Sequence, residues 1–276
     1  MRFMESFSVI IPVYRDREQA VETVSRLERA EPPGLEEVVL VVDGDSLELD
    51  WERATVIENP ERQGKARAVN QALQQIDNPV AVLASADVST EPETFSRLAR
   101  KVSEEGGVAA PMVRSREGDS RSAKLADVIW RLHHYVSRRF PKVGEMVAFR
   151  SERVLPEDSV ADEEYLSSAA ETRHYLPDTE VVNSPPASLK QLYVQRRRIF
   201  AGHLQLQRST GHTAPTNEPL NLVLAVRDYL LEGGSVFDLG RAGLLEFFAR
   251  LEGLVWAVLG KEKSKWKRVK TVEDGN

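Results

Sequence analysis

Short, continuous apolar runs recur along the first half of the chain, and most are followed by polar stretches of helical period. Ser8-Val-Ile-Ile-Pro-Val-Tyr14 is apolar and β-branched, with Pro12 near its end, and reads as a buried strand. Asp16 is placed to cap a helix running to about Ala30, with Ala20, Val21, Val24 and Leu27 on one face. Pro32-Pro33-Gly34 stops it. Residues 38–42 form a second apolar strand that runs into Asp43-Gly44-Asp45-Ser46, and residues 55–57 a third. Asn59-Pro60 turns the chain. A helix over about 64–76 follows, Asn78-Pro79 breaks it, and residues 80–84 form a fourth strand ending at Ser85-Ala86-Asp87. Another helix begins after Glu91-Pro92.

Alternating strands and helices predict an α/β fold, a mostly parallel sheet flanked by helices. Such strands are apolar throughout because both faces are covered. Ligands of such sheets sit beyond the carboxyl ends of the strands, where Asp43, Asp45 and Asp87 fall. The second half is less regular. Strands are expected at 110–113, 146–149 and 180–182, and helices at 124–139, 161–170, 221–231 and 239–259. The polar stretch 209–219 suggests a boundary, with one domain at 1–208 and a C-terminal helical extension at 209–276.

Composition narrows the picture. The 276 residues are 41% hydrophobic and 29% charged, a globular rather than disordered balance. No cysteine is present, which excludes disulfides, thiolate metal sites and a cysteine nucleophile. A net charge of −6 argues against a nucleic-acid partner. No apolar run reaches the roughly 18 residues of a membrane span, and residues 1–8 do not read as a secretion signal, so a cytoplasmic location is expected. No internal repeat is visible. Gly64-Lys65 lacks the rest of a P-loop, and G-x-G-x-x-G is missing, which removes the dinucleotide fingerprint.

Two constellations carry chemistry. Asp43, Asp87 and the pair Asp162-Glu163 offer separated carboxylates, suited to a divalent cation on a diphosphate and to a general base; strand-end aspartates also serve as turn formers and helix caps. From Val181 to Asn217 there is no acid, yet Lys190, Arg196, Arg197, Arg198 and Arg208 occur. Such a basic stretch in an acidic protein fits a diphosphate, or else a solvated helix face or pairing with the surplus acids. Trp130, His133, His134 and Tyr135 lie on an arginine-rich helix, and adjacent histidines do not share a face, so a metal site there is not expected.

In this order the motifs resemble those of family 2 glycosyltransferases of the GT-A fold, over residues 6–205. The first strand is similar to the family's opening strand, and Val41-Val42-Asp43-Gly44-Asp45-Ser46 to its Val-Asp-Asp-Gly-Ser turn. The segment from Asn59 to Asn70 is similar to its Gly-Lys-x-x-Ala-x-Asn element, and Ser85-Ala86-Asp87 stands where its Asp-x-Asp belongs. Residues 144–150 are similar to its acceptor segment, Asp162-Glu163 to its Glu-Asp base, and Gln195-Arg-Arg-Arg-Ile199 to Gln-x-x-Arg-Trp, an element of membrane-associated polysaccharide and glycolipid synthases.

The resemblance implies a metal-dependent inverting transferase. A sugar would move from a nucleotide-diphosphate sugar, a UDP-sugar by preference, to a hydroxyl acceptor such as a lipid-linked saccharide or glycolipid. Pro12, Tyr14, Asp43, Asp45, Lys65, Asn70, Ser85, Ala86, Gln195 and Arg198 would bind the donor, and Asp87 would hold Mg2+ or Mn2+. Glu163 or Asp162 would be the base. Four departures stand out: Ser85 removes one metal ligand, Asp43 and Asp45 compete for the nucleotide, Ile199 replaces the tryptophan, and the acid pair is inverted. Ser85 also motivates a non-catalytic sugar-nucleotide binder as an alternative. A nucleotidyltransferase is the other alternative, although Tyr14-Arg15-Asp16-Arg17 lacks the glycines it needs.

The C-terminal stretch 236–259 is amphipathic, interrupted by Arg241, Glu246, Arg250 and Glu252, and followed by Lys261, Lys263, Lys265, Lys267, Arg268 and Lys270 with Trp256 and Trp266. It fits an interfacial anchor on the inner face of an anionic membrane, or equally a helix that closes the core.

Overall fold

The computed structural model describes residues 5–157, 159 and 161–259. Along the described residues the elements are β1 (Phe7–Val13), α1 (Arg17–Ala30), β2 (Leu35–Asp43), β3 (Ala54–Asn59), α2 (Lys65–Leu73), β4 (Val80–Ala84), β5 (Val88–Thr90), α3 (Pro92–Glu105), β6 (Val108–Ser115), α4 (Arg121–Ser137), β7 (Met146–Arg150), α5 (Asp162–Ser168), β8 (Arg173–Asn183), α6 (Leu189–Thr210), α7 (Pro219–Leu231) and α8 (Val236–Val258), with a 3-10 turn at Pro215–Asn217 before α7.

The strands form one sheet in the order β3-β2-β1-β4-β7-β6-β8-β5. β3, β2, β1 and β4 are parallel. β7 is antiparallel to both β4 and β6, so its first residues lie beside the carboxyl end of β4. Alternate residues feed two cores. Val9, Ile11, Leu40 and Val82 pack against α1 and α3, while Ile10, Val39, Val41 and Leu83 pack against α2 and Leu166. This period of two on doubly covered strands explains why residues 38–42 are fully buried without a polar interruption. Each buried Val or Leu contributes roughly 1.5–3 kcal/mol.

The α/β sheet and the flanking helices match the expectation, and the differences are local. Asp16 sits at the N-cap of α1, but its side chain makes no capping hydrogen bond; its backbone carbonyl accepts from Ala20 instead. β5 is three residues long and held by pairing to β8. β8 begins at Arg173, well before the expected 180, because its polar first half pairs with β6. The basic stretch is part of the 22-residue helix α6. The expected boundary at 208/209 therefore falls inside a helix, and α4, α6, α7 and α8 share a core of Leu125, Val136, Leu192, Ala225, Tyr229 and Ala242.

α8 is turned inside out relative to an ordinary amphipathic helix. Its buried residues are Ala242, Ala249, Gly253 and Ala257, which let it lie close against α6 and α4. Phe237, Leu244, Phe247, Phe248, Leu251 and Val258 are exposed, Phe237 to 82%. Leu220, Val223 and Leu231 of α7 are exposed as well. No described helix is long and apolar enough to cross a membrane. The basic run at 261–270 lies outside the described residues.

Candidate active site

Beyond the carboxyl ends of β1, β2 and β4 opens a cleft of about 610 Å3, within the range of small-molecule sites. Asp43, Asp87, Glu163 and Arg198, drawn from four distant segments, all line it, as do Pro12, Tyr14, Lys65, Ser85, Ala86, Asp162 and Gln195. Asp45 and Asn70 do not. Asp45 is exposed, paired with Arg17 at 3.0 Å. Asn70 faces the other way and clamps Leu155, its amide donating to the Leu155 carbonyl at 2.7 Å and its oxygen accepting from the Leu155 N–H at 2.9 Å.

Asp43 ends β2 as a buried carboxylate whose partners come from the next loop. Oδ1 accepts from Asn59 Nδ2 at 2.9 Å, and Oδ2 accepts from the backbone N–H groups of Gln63 and Gly64 at 2.8 and 2.9 Å. Gly64 has φ +99° and ψ 157°, a conformation almost reserved for glycine. That backbone shape aims the start of α2 at the carboxylate, where the helix dipole favours negative charge. Across from it, the Arg62 guanidinium stacks on the Tyr14 ring at 4.1 Å.

Lys65, the first residue of α2, reaches the cleft floor. Its Nζ donates to Ser85 Oγ at 3.1 Å and to Glu163 Oε1. Burial pulls the ammonium pKa down, but Glu163, Asp162 and Glu145 outweigh it and hold it above the usual lysine value. Ser85 Oγ in turn donates to Glu145 Oε2 at 3.2 Å. Burial, then the charges of Asp87 and Glu163, push the Glu145 carboxyl up to about 7. Burial and Glu163 likewise push Asp162 up to about 7. Asp162 is 5% exposed, and its Oδ1 has no hydrogen-bond partner among the described residues.

The three consecutive arginines of α6 separate by helical direction. Arg196 pairs with Glu246, and Arg197 pairs with Glu252 while stacking on Trp256 at 3.7 Å, so both are tied to α8. Arg198 lies among Glu145, Glu163 and Asp87, although burial lowers its guanidinium pKa. Surplus acids of α8 thus pair two of the arginines, Arg196 on the wall of the helical lobe, and Arg198 faces the part of the cleft at the sheet edge.

The cleft continues between α4, α6, α7 and α8. Trp130 and His133 of α4 line this lobe; His134 points away and bonds Tyr175 at 2.7 Å. Leu222, Val226, Leu239 and Phe247 supply an apolar wall, and Lys142, Glu164, His203, Arg196, Glu246 and Arg250 a polar one. Burial raises the Glu164 carboxyl, but Lys142 at 3.0 Å and His212 at 3.0 Å prevail and hold it far below the usual range. Burial and then Lys142 hold His203 neutral, its pKa down at about 3, and His133 is lowered in the same way.

Sequence reasoning missed Glu145, Arg62 and the Lys142–Glu164 pair. The acceptor-like segment 144–150 contains Glu145, but only the antiparallel placement of β7 brings it to Ser85. The donors around Ser85 and Asp87 are hard oxygen atoms, which fits Mg2+ or Mn2+, and the orphaned Asp162 oxygen on the same cleft marks a polar group still lacking a partner. Among the described residues no three His, Asp or Glu side chains converge as a self-sufficient metal cage, so a cation there would need oxygen ligands from a bound diphosphate.

The profile of the family described as Glycosyl transferase family 2 matches residues 8–159, over half of the chain. A dolichol-phosphate mannosyltransferase from Pyrococcus furiosus is 32% identical over 111 residues, which are 37% of this chain and 31% of that protein. The chain thus aligns with about a third of that relative's length. Among solved structures, a mannosyltransferase from Pyrobaculum calidifontis in complex with GDP-Man and Mn2+ superposes with a TM-score of 0.66 at 17% identity, covering 94% of this chain and 89% of that one. A glucosyl-3-phosphoglycerate synthase from Mycobacterium tuberculosis in complex with Mn2+, UDP-glucose and phosphoglyceric acid superposes at 0.51 with 14% identity, over 73% and 79%. These two share the fold.

Proposed function

The chain belongs to glycosyl transferase family 2, and from that premise we propose that it moves a sugar from a nucleotide-diphosphate sugar to a hydroxyl acceptor, with inversion at the anomeric carbon. The carrying observation is the convergence of Asp43, Asp87, Glu163 and Arg198 on one cleft at the carboxyl edge of the sheet. The donor is a UDP- or GDP-sugar; the two structural neighbours above were solved with GDP-Man and with UDP-glucose. Tyr14, Arg62 and the Asp43-anchored loop would hold the nucleoside, and Arg198, Gln195 and Lys65 the diphosphate. Guanidinium is suited to phosphate oxygens through paired charge-assisted hydrogen bonds. Asp87 would hold Mg2+ or Mn2+, which when bound offsets charge on the diphosphate.

The acceptor oxygen forms its bond to the anomeric carbon as the bond to the diphosphate oxygen breaks, and the nucleoside diphosphate leaves with that electron pair. The acceptor proton passes to a carboxylate. Glu163 is committed to Lys65, whereas Asp162 has an unpartnered oxygen and a pKa near 7, suited to a general base at neutral pH. Asp162 is therefore assigned as the base and Glu163 as the group that positions Lys65. The helical lobe of the cleft would receive the acceptor. Its apolar wall, with the exposed apolar faces of α7 and α8, supports an amphiphilic or lipid-linked acceptor met at a membrane surface; the basic stretch at 261–270 has the charge for anionic lipid.

Release of nucleoside diphosphate from a panel of UDP- and GDP-sugars with Mn2+, with and without polyprenyl phosphates or glycolipids, tests the reading. Turnover of one donor that rises with a lipid acceptor supports it. Inertness toward every donor, or transfer only to a soluble acceptor in solution, counts against the whole reading or its lipid part respectively.

A further inference from the structure

We propose that Glu145 supplies, from the neighbouring antiparallel strand, the second carboxylate that Ser85 cannot, so that Asp87 and Glu145 together form the protein side of the divalent-cation site. The inference rests on the transfer reading above and assigns a residue to its cation.

The register of β4 and β7 carries the argument. Ala84 pairs with Met146, and one residue further the Ser85 N–H donates to the Glu145 carbonyl at 3.1 Å. Residues 85 and 145 are thus cross-strand neighbours, whose side chains share a face. The side chains meet as well, Ser85 Oγ donating to Glu145 Oε2 at 3.2 Å. An aspartate at 85 would set one carboxylate directly against another, a destabilising arrangement. A short serine at 85 and a long glutamate at 145 are therefore a matched pair, with the carboxylate moved across the strand and extended on a longer stem. Asp87, two residues beyond Ser85, lines the same cleft as Glu145. Two carboxylates on one diphosphate-sized cleft, one after β4 and one before β7, provide hard oxygen donors from two strands. A divalent cation takes such donors and completes its shell from phosphate oxygens and water.

Mn2+ binding tests this without recourse to turnover. The full chain is titrated with Mn2+ in the presence of GDP or UDP, and bound Mn2+ is read by electron paramagnetic resonance. The native protein is expected to bind Mn2+ and nucleotide together. Glu145→Gln and Asp87→Asn should each weaken Mn2+ on the order of 10- to 100-fold, as losses at metal sites do. Ser85→Asp placed in the Glu145→Gln background should recover most of that loss, which a merely structural role for Glu145 would not allow; circular dichroism melting confirms that each variant is folded. Native-like Mn2+ affinity in Glu145→Gln, or no recovery in the double variant, overturns the inference alone. Failure of the native protein to bind either nucleotide overturns the transfer reading, and this inference with it.

Discussion

The sheet edge and the C-terminal helices obey opposite rules. In β2, large apolar side chains point inward on both faces and the chemistry begins where the strand ends, at Asp43. In α8, alanines and a glycine point inward and most of the large apolar side chains point to solvent, Leu239 and Leu245 excepted. The first region buries its hydrophobicity to hold a polar site rigid. The second keeps its hydrophobicity outward and packs by small residues. An apolar run therefore marks a core in the strands of the sheet and largely a surface in α8.

The contrast is sharpest when each region is broken in its own currency. Asp43→Ala strips the loop at 59–64 of a buried acceptor and leaves the Gln63 and Gly64 N–H groups unpaired, while Asn59 Nδ2 keeps only its bond to Gln71. At roughly 1–3 kcal/mol for an unsatisfied buried group, a loss of about 3 kcal/mol or more in urea unfolding is expected, together with loss of nucleotide binding. Little change in the unfolding midpoint would mean that the loop has another anchor.

Acid should weaken the helical lobe, against the opposite effect of Glu145 and Asp162 at the sheet edge, whose raised carboxyls favour the folded state as pH falls below 7. His203 is neutral in the folded state down to about pH 3, whereas an unfolded histidine takes a proton near 6.5. A depressed folded-state pKa means that the unfolded chain binds more protons, so stability falls as pH drops below 6.5. His133 acts in the same sense. Glu164, held low by Lys142, adds stability that is lost further down, as pH falls below its ordinary carboxylate value. One such histidine accounts for roughly 2–3 kcal/mol between pH 6.5 and 4.5. His203→Gln should flatten that stretch of the melting-temperature profile, and an unchanged slope would locate the acid sensitivity elsewhere.

On α8, a Cβ at Gly253 would lie 3.0 Å from the Arg197 carbonyl and 3.1 Å from the Phe200 ring. Gly253→Val should cost about 1–3 kcal/mol by overpacking. Phe237→Ser, at an 82% exposed position, should change stability by no more than about 0.5 kcal/mol, yet reduce sedimentation with anionic vesicles. A Phe237→Ser protein that unfolds readily, or that binds vesicles as before, would erase the distinction drawn between the two faces.

Much of the sheet edge was legible because buried parallel strands are apolar throughout and their polar ends stand out. Asp43 and Asp87 follow from that pattern, whereas Lys65 and Ser85 entered through the resemblance to family 2 glycosyltransferases. Asp45 and Asn70 could not be separated from them, since whether a polar side chain faces a cleft or a neighbouring loop depends on rotation about the helix or turn. Glu145 was hidden for a different reason: its partner is 60 residues away across an antiparallel pairing. The arginines of α6 needed the partner helix, because only Glu246 and Glu252 reveal that Arg196 and Arg197 are structural. The long β8 was obscured by polar residues that a half-exposed strand tolerates, and Asp162 differs from Glu163 only by what surrounds it.

The most direct test of the shared diphosphate site compares Arg198 with its neighbour. UDP-glucose and GDP-mannose are titrated calorimetrically into the native protein, Arg198→Ala and Arg197→Ala, each with Mn2+. The account predicts saturable binding of one donor at a single site, weakened by about 10- to 150-fold in Arg198→Ala, the equivalent of roughly 1.5–3 kcal/mol for a charge-assisted contact, and native-like in Arg197→Ala. Equal affinity in Arg198→Ala and the native protein, or no donor binding at all, would contradict it.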